Sequence, residues 1–219
     1  SGVASYTIYA SQNGGPFTPV LSDTTETSAM FTGQPGSTYS FYSVARDQVG
    51  NMEQPHSIPD ATTHSNVPPI ANAGPDQTVR QGSLVTLNGA GSSDPDNGPS
   101  PLSFIWSKIA GPAVTLTGAN ASMATFTPSA AESYTFSLVV NDGQDNSEPV
   151  FVTITVPKLG DIDLDGDVDN NDLNFILAAR NTSANGQNDL RDLNGDGKID
   201  ALDSRKLVTL CTNPRCATQ

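Results

Sequence analysis

The chain has 219 residues, with 10 Lys and Arg against 23 Asp and Glu, a formal net charge of −13. That balance excludes a nucleic-acid surface, which needs clustered basic residues, and no run of about 18 apolar residues is present to span a membrane. The length suits one large or two to three small domains, and 36% hydrophobic and 15% charged residues, with 19 Gly and 16 Pro, favour short strands and many turns.

The opening Ser1-Gly-Val-Ala-Ser5 is not a secretion signal and reads as the interior of a longer chain. Alternation of apolar and polar residues predicts strands at Tyr6–Tyr9, Phe17–Leu21, Ser28–Thr32 and Tyr39–Val44. In the last of these, Tyr39, Phe41 and Ser43 face one way and Ser40, Tyr42 and Val44 the other. Asn13-Gly14-Gly15 and Pro35-Gly36 are turn signals. The string from Pro35 to Asn51, PGSTYSFYSVARDQVGN, resembles the last third of a fibronectin type III domain. The resemblance spans roughly residues 1–63 and implies that Tyr39 is a core tyrosine. It also implies that two strands and a core tryptophan of that fold lie before Ser1. Domain 1–64 is therefore expected to be an incomplete sandwich, with an uncovered apolar face near Tyr9, Tyr39 and Phe41.

Residues from Thr62 to Pro69 have linker composition, and 65–69 are taken as the linker proper. Across 70–157, seven short strands are expected, at about 76–80, 83–88, 102–108, 113–117, 122–127, 133–141 and 149–156, which argues a β-sandwich. Ala71-Asn-Ala-Gly-Pro-Asp-Gln-Thr-Val79, Gly91-Ser-Ser-Asp-Pro-Asp96, Leu102-Ser-Phe-Ile-Trp106 and Tyr134-Thr-Phe-Ser-Leu-Val-Val-Asn-Asp-Gly143 together resemble a PKD-type immunoglobulin-like domain. The resemblance implies that Trp106 packs between the sheets. Asp94-Pro-Asp96 reads as a turn, because Asp and Pro favour turns and two carboxylates are few for calcium. A bound cation is the alternative.

Residues 158–219 hold 11 Asp and 7 Lys or Arg, a net −4 that two calcium ions would neutralise. Asp161-Ile-Asp-Leu-Asp-Gly-Asp-Val-Asp-Asn-Asn-Asp172 has oxygen side chains at positions 1, 3, 5, 9 and 12 and Gly166 at position 6. Asp192-Leu-Asn-Gly-Asp-Gly-Lys-Ile-Asp-Ala-Leu-Asp203 repeats the pattern 31 residues on, with Gly197 at position 6. Calcium takes six to eight oxygens at roughly 2.3–2.6 Å, and such a loop turns alternate side chains inward around it. Position 7, Asp167 and Lys198, is expected to offer its carbonyl. Val168 and Ile199, at position 8, suit a short pairing of the two loops. Leu173, Ile176, Leu177 and Arg180, and then Leu202, Lys206, Leu207 and Leu210, follow at helical spacing.

Loop–helix, spacer, loop–helix, with Asp rather than Glu at position 12 and no entering helix, resembles a type I dockerin. The resemblance implies two Ca2+ held by Asp161, Asp163, Asp165, Asp169 and Asp172, and by Asp192, Asn194, Asp196, Asp200 and Asp203. It also implies a cohesin-type protein partner that meets Asn170, Asn171, Leu177 and Ala178, or Ala201, Leu202, Val208 and Thr209. The two sets differ in chemistry, and their apolar members could instead pack the module's own core. Cys211 and Cys216 suit a local disulfide in a secreted protein, with free thiols as the alternative.

The only histidines, His56 and His64, lie in loop and linker, and no nucleophile–base constellation or phosphate loop is visible. No enzyme is therefore expected within this chain, although one could lie upstream. The expected architecture is multidomain: two all-β immunoglobulin-like sandwiches, the first incomplete, then a small α calcium-loop domain. The expected role is a non-catalytic part of a secreted or cell-surface modular protein. It would dock calcium-dependently to a cohesin-type module and reach polysaccharide through its parent. A calcium-stiffened spacer of an adhesin or protease is the rival. A glycan- or protein-binding PKD-like unit is a third reading.

Overall fold

The computed structural model describes residues 2–98 and 101–218. It is mostly β, with two short helices near the C-terminus. Two compact units divide the chain. One holds the described residues of Ser1–Pro68, Asp94–Pro101 and Asp142–Asp145; the other holds those of Pro69–Ser93, Leu102–Asn141 and Asn146–Gln219.

In the first unit, β1 (Val3–Gln12), β2 (Thr18–Thr24), β3 (Thr38–Asp47) and β4 (Ala61–His64) form one antiparallel sheet in the order β2-β1-β3-β4. The β1–β2 turn has Asn13 and Gly14 at φ of 52° and 73°, with the Gly15 amide donating to the Gln12 carbonyl at 2.9 Å. Positive φ at both central residues matches the twist of the flanking strands. On one face Tyr9 stacks on Tyr42 at 4.8 Å, and Phe17 meets Tyr42 edge-on at 4.7 Å.

Two expectations for this unit need correction. Ser28–Thr32 is not a strand. It runs across the sheet instead, placing the Phe31 ring edge-on to Tyr39 and Phe41 at 4.9 Å each. Tyr39 is accordingly buried, at 6% exposed, so the apolar face is partly covered by the chain itself. The Tyr39 hydroxyl accepts from the Gln34 amide at 2.7 Å, the tyrosine corner found where immunoglobulin-like strands turn. The polar stretch Thr62-Thr-His64 that reads as linker belongs to β4, held to β3 by the ladder from Thr38↔His64 to Phe41↔Ala61.

In the second unit, β5 (Gln77–Thr78), β7 (Ser103–Ala110), β9 (Ser133–Asn141) and β10 (Val150–Thr155) form a sheet ordered β5-β10-β9-β7. Strands β6 (Val85–Asn88) and β8 (Met123–Phe126) pair separately. Tyr134, Phe136, Leu138 and Val140 alternate inward along β9 and meet Val85, Leu87, Ala124, Phe126 and Ile154 in one core, as a strand's two-residue period requires. Trp106 is buried there, its indole N–H donating to the Ala121 carbonyl at 3.2 Å. Tyr134 closes a second tyrosine corner, its hydroxyl 3.1 Å from both the amide and the carbonyl of Ala130. The strand expected at 113–117 does not form. Only Thr117 bridges, to Thr125, while Val114 and Leu116 still pack on the core.

After β10 come α1 (Asn170–Ala178), β11 (Thr182–Ser183), β12 (Lys198–Ile199), α2 (Ala201–Leu210) and a 3-10 turn, Pro214–Cys216. Val168, Ile176, Ala179, Leu193, Ile199 and Leu207 form their shared core. Cys211 and Cys216 are joined, with Cα atoms 5.1 Å apart.

Candidate metal centre

Both twelve-residue loops turn at glycine. Gly166 and Gly197 take φ of 96° and 83°, which costs least without a Cβ. Both loops run straight into a capped helix. Asp169 caps α1, accepting from the Asn171 amide at 2.6 Å, and Asp200 caps α2 through the Leu202 amide at 2.6 Å. Asp172 completes a capping box on the Asp169 amide at 2.8 Å and reaches back to the Ile162 amide at 2.6 Å. Asp203 repeats this on the Asp200 amide at 2.8 Å and the Asn194 amide at 3.2 Å. One carboxylate thus closes each loop and starts each helix.

In the first loop, single carboxylate oxygens of Asp161, Asp163 and Asp165 lie within 4.8 Å of one another, as do those of Asp167, Asp169 and Asp172. Asp161 is 5% exposed, and its Oδ1 has no hydrogen-bond partner; Asp167 Oδ1 is likewise buried and unpartnered. Burial pushes the Asp161, Asp163 and Asp167 carboxyls above the usual range, and neighbouring aspartates add to the effect. Like charges held this close are costly without a cation. The donors are all oxygen, which suits a hard ion such as Ca2+. Asp167 brings its carboxylate to the group with Asp169 and Asp172, a contribution that position 7, expected to offer its carbonyl, does not predict.

The second loop is more internally satisfied. Asp192 accepts from the Gly195 and Gly197 amides at 2.8 and 2.9 Å, and the Asn194 side-chain amide donates to Asp196 at 2.9 Å. Lys198 is exposed.

The pairing of the loops differs from expectation. Val168 does not pair with Ile199. Its carbonyl accepts from the Thr212 amide at 3.0 Å, beyond α2, while the Ile199 carbonyl accepts from the Asn181 amide at 2.7 Å, beyond α1. Each position 8 is thus clasped by the segment that follows the other helix. Residues 181 and 212 have the same 31-residue offset as the loops, so the duplication extends to these contacts.

The helix faces also differ from the simple pattern. Arg180 lies beyond α1, and the α1 residues facing the core are Leu173 and Ile176. Leu177 and Val208 do not pack the core; they are 47% and 54% exposed. Asn170, Asn171, Ala178, Leu202 and Thr209 are exposed and Ala201 is half-buried. Phe175 is also exposed and was not singled out from sequence, because helical spacing alone does not place it on the outer face.

The first unit holds another acidic cluster. Asp94 is raised by burial and by the Asp96 and Asp142 charges, whereas Asp96, although desolvated, is held low by donors from Val67 and His64.

Residues 73–156 match the family model described as K319L-like, PKD domain. They are a PKD domain. Over 87 residues the chain is 37% identical to a long-isoform ulvan lyase of Glaciecola sp. (strain KUL10), a stretch that is 39% of this chain and 8% of that protein. The solution structure of the PKD domain from KIAA 1837 protein is 33% identical, covering 43% of this chain and 92% of that one, with a TM-score of 0.36. A nucleoside hydrolase-related hypothetical protein from Saccharophagus degradans, associated with carbohydrate metabolism, is 25% identical over 42% of this chain and 26% of its own, with a TM-score of 0.36. Trp106 and the inward row of β9 are core residues of the PKD domain, and no helix among the described residues is long and apolar enough to cross a membrane.

Proposed function

We propose that this chain is a non-catalytic part of an extracellular carbohydrate-active protein, and that residues 158–219 are its docking module. In this reading 1–64 is a partial fibronectin type III-like domain, 65–69 a linker, 70–157 the PKD-like domain and 158–219 a type I dockerin. The Tyr39 corner supports the first assignment. Likeness to an ulvan lyase supports a parent that acts on polysaccharide.

The observation that carries the docking reading is the pair of outward apolar helix faces, Leu177 on α1 and Val208 on α2, each fixed by an acidic loop. Two Ca2+, one per loop, relieve the carboxylate crowding and order the helix starts. About 60 residues bury little core, so ion binding contributes directly to folding. Rigid faces lower the ordering cost of association, and a cohesin-type β-sandwich is the partner they would meet.

The test is capture of residues 158–219 by cohesin modules from the same organism, in calcium and in EGTA, with helicity followed by circular dichroism. Helicity and capture should both fall in EGTA. Leu177→Asp or Val208→Asp should abolish capture at the docking helix while helicity in calcium persists. Full helicity without calcium would refute the metal dependence. If helicity requires calcium but no cohesin binds, a calcium-stiffened spacer takes the place of docking.

A further inference from the structure

One side chain of the PKD domain reaches into the second acidic loop. Arg80 follows β5 and opens a tight turn, in which the Ser83 amide donates to the Arg80 carbonyl at 3.1 Å and Gly82 takes φ of 81°. The Gly82 amide donates to the Pro128 carbonyl at 2.9 Å, and the Gln81 side-chain amide to the Ser129 carbonyl at 2.6 Å. The turn is thus pinned to the β8–β9 connection, and Arg80 leaves the domain from a fixed backbone.

Arg80 meets the C-terminal module twice. Its amide donates to Asn188 Oδ1 in the spacer at 3.3 Å, and its Nη2 donates to the Leu193 carbonyl at 3.3 Å. Leu193 lies between Asp192 and Asn194, two ligand-type positions, and its side chain is buried in the module's core. Lys206 on α2 donates to the same carbonyl at 2.7 Å. One carbonyl therefore takes two cationic donors, which its two lone pairs allow. They also bring positive charge to a loop that holds Asp192, Asp196, Asp200 and Asp203, easing the repulsion among them. A cleft of about 770 Å³, lined in part by Leu84, Pro128, Lys158 and Leu190, adjoins Arg80, so close packing there does not substitute for its hydrogen bonds. The first loop is held differently. Lys158, from its own module, donates to the Gly166 carbonyl at 2.8 Å, and the buried oxygens of Asp161 and Asp167 stay unpartnered.

We propose that the PKD domain is a built-in partner of the second loop, and that Arg80 holds this loop in its ion-ready shape before any ion binds. The first loop takes its shape only with its ion. That the shape is ion-ready rests on the metal reading above; the hold exerted by Arg80 does not.

Hydrogen exchange of the full chain in EGTA tests this, with the wild type run beside Arg80→Met and Asn188→Ala. The reporters are the Asn194 and Gly197 amides in the second loop, bonded to Asp203 and Asp192, and the Ile162 and Asp169 amides in the first, both bonded to Asp172. In the wild type the second loop should exchange more slowly than the first. Arg80→Met should speed exchange at Asn194 and Gly197 about tenfold, as loss of one charge-assisted hydrogen bond implies, and leave Ile162 and Asp169 unchanged. Asn188→Ala should act in the same direction but less. The near-ultraviolet signal of Trp106 reports that the PKD domain stays folded, and Asn188→Ala decides the matter if Arg80→Met loses that signal. Second-loop exchange that is fast in the wild type, or unchanged in both variants, overturns the proposal. So does equal acceleration of the two loops, which would mean a general loosening. A parallel series in calcium should slow both loops in every protein. Its failure would count against the metal reading and leave the ion-free comparison to decide this one.

Discussion

Leu164 has φ of 67° at position 4 of the first loop, where the second loop places Gly195 at 77°. A left-handed backbone costs an L-residue roughly 1–2 kcal/mol, and Leu164 is exposed, so little burial offsets that cost. Leu164→Gly should therefore stabilise the module in calcium by about 0.5–1 kcal/mol, after glycine's unfolded-state entropy is subtracted, read as a higher denaturation midpoint. Asp189, in the spacer between the loops, presents a contrasting case. Arg191 grips it with Nε–Oδ1 and Nη2–Oδ2 bonds of 2.8 Å each, and the Asn185 amide adds a third at 2.8 Å. This holds the Asp189 carboxyl well below the usual range. A depressed carboxyl stabilises the fold above its unfolded pKa of about 4, and that contribution is lost as pH falls towards the folded value. Asp189→Asn should cost about 1–3 kcal/mol at neutral pH, and urea melts should show the gap to wild type closing below about pH 4.

At the scale of elements, the tyrosine corners are the most local devices in the two β units. Tyr39 satisfies the Gln34 amide and Tyr134 both backbone groups of Ala130. Tyr39→Phe and Tyr134→Phe should each lower stability by about 0.5–1.5 kcal/mol in equilibrium denaturation, because a backbone amide loses its partner. Resemblance to a fibronectin type III domain implied that Tyr39 is a core tyrosine, but not its hydroxyl bond. That of Tyr134 was not legible either, since its alternation with Phe136 and Leu138 already explained a core position. Strand β9 was legible because four apolar residues alternate without interruption. Ser28–Thr32 and 113–117 alternate too, but a strand also needs a ladder partner, and sequence does not supply its position. Strand β4 is the converse case: four polar or small residues with weak periodicity, recruited by the free edge of β3.

At the scale of the molecule, the candidate loops were legible because every ligand-type residue falls within twelve consecutive positions. The acidic cluster around Asp96 was only half legible for the opposite reason. Asn66 meets Asp142 across 76 positions, and Val67 meets Asp96 across 29, so no local pattern announces them. The outward aim of Leu177 and Val208 was likewise open in sequence. Helical spacing places a residue on a face, but only packing decides which face turns inward. Leu207 and Ile176 fill the small core and leave these two outside.

The crossed clasp of the loops should couple the proposed calcium binding to the redox state of the chain. Thr212 lies within the ring closed by Cys211 and Cys216, and its backbone and hydroxyl bind Val168 across 44 positions. Opening that ring should free Thr212 and slacken the distant first loop, while the nearer second loop should keep the clasp from Asn181 to Ile199. A reductant should therefore weaken calcium binding several-fold at Asp161–Asp172 and leave Asp192–Asp203 nearly unchanged. It should also lower the Hill coefficient, since each clasp lets one filled loop steady the other. Titrations of Asp192→Ala and Asp161→Ala, each with and without reductant, would separate the two loops. Equal sensitivity in both would contradict the coupling.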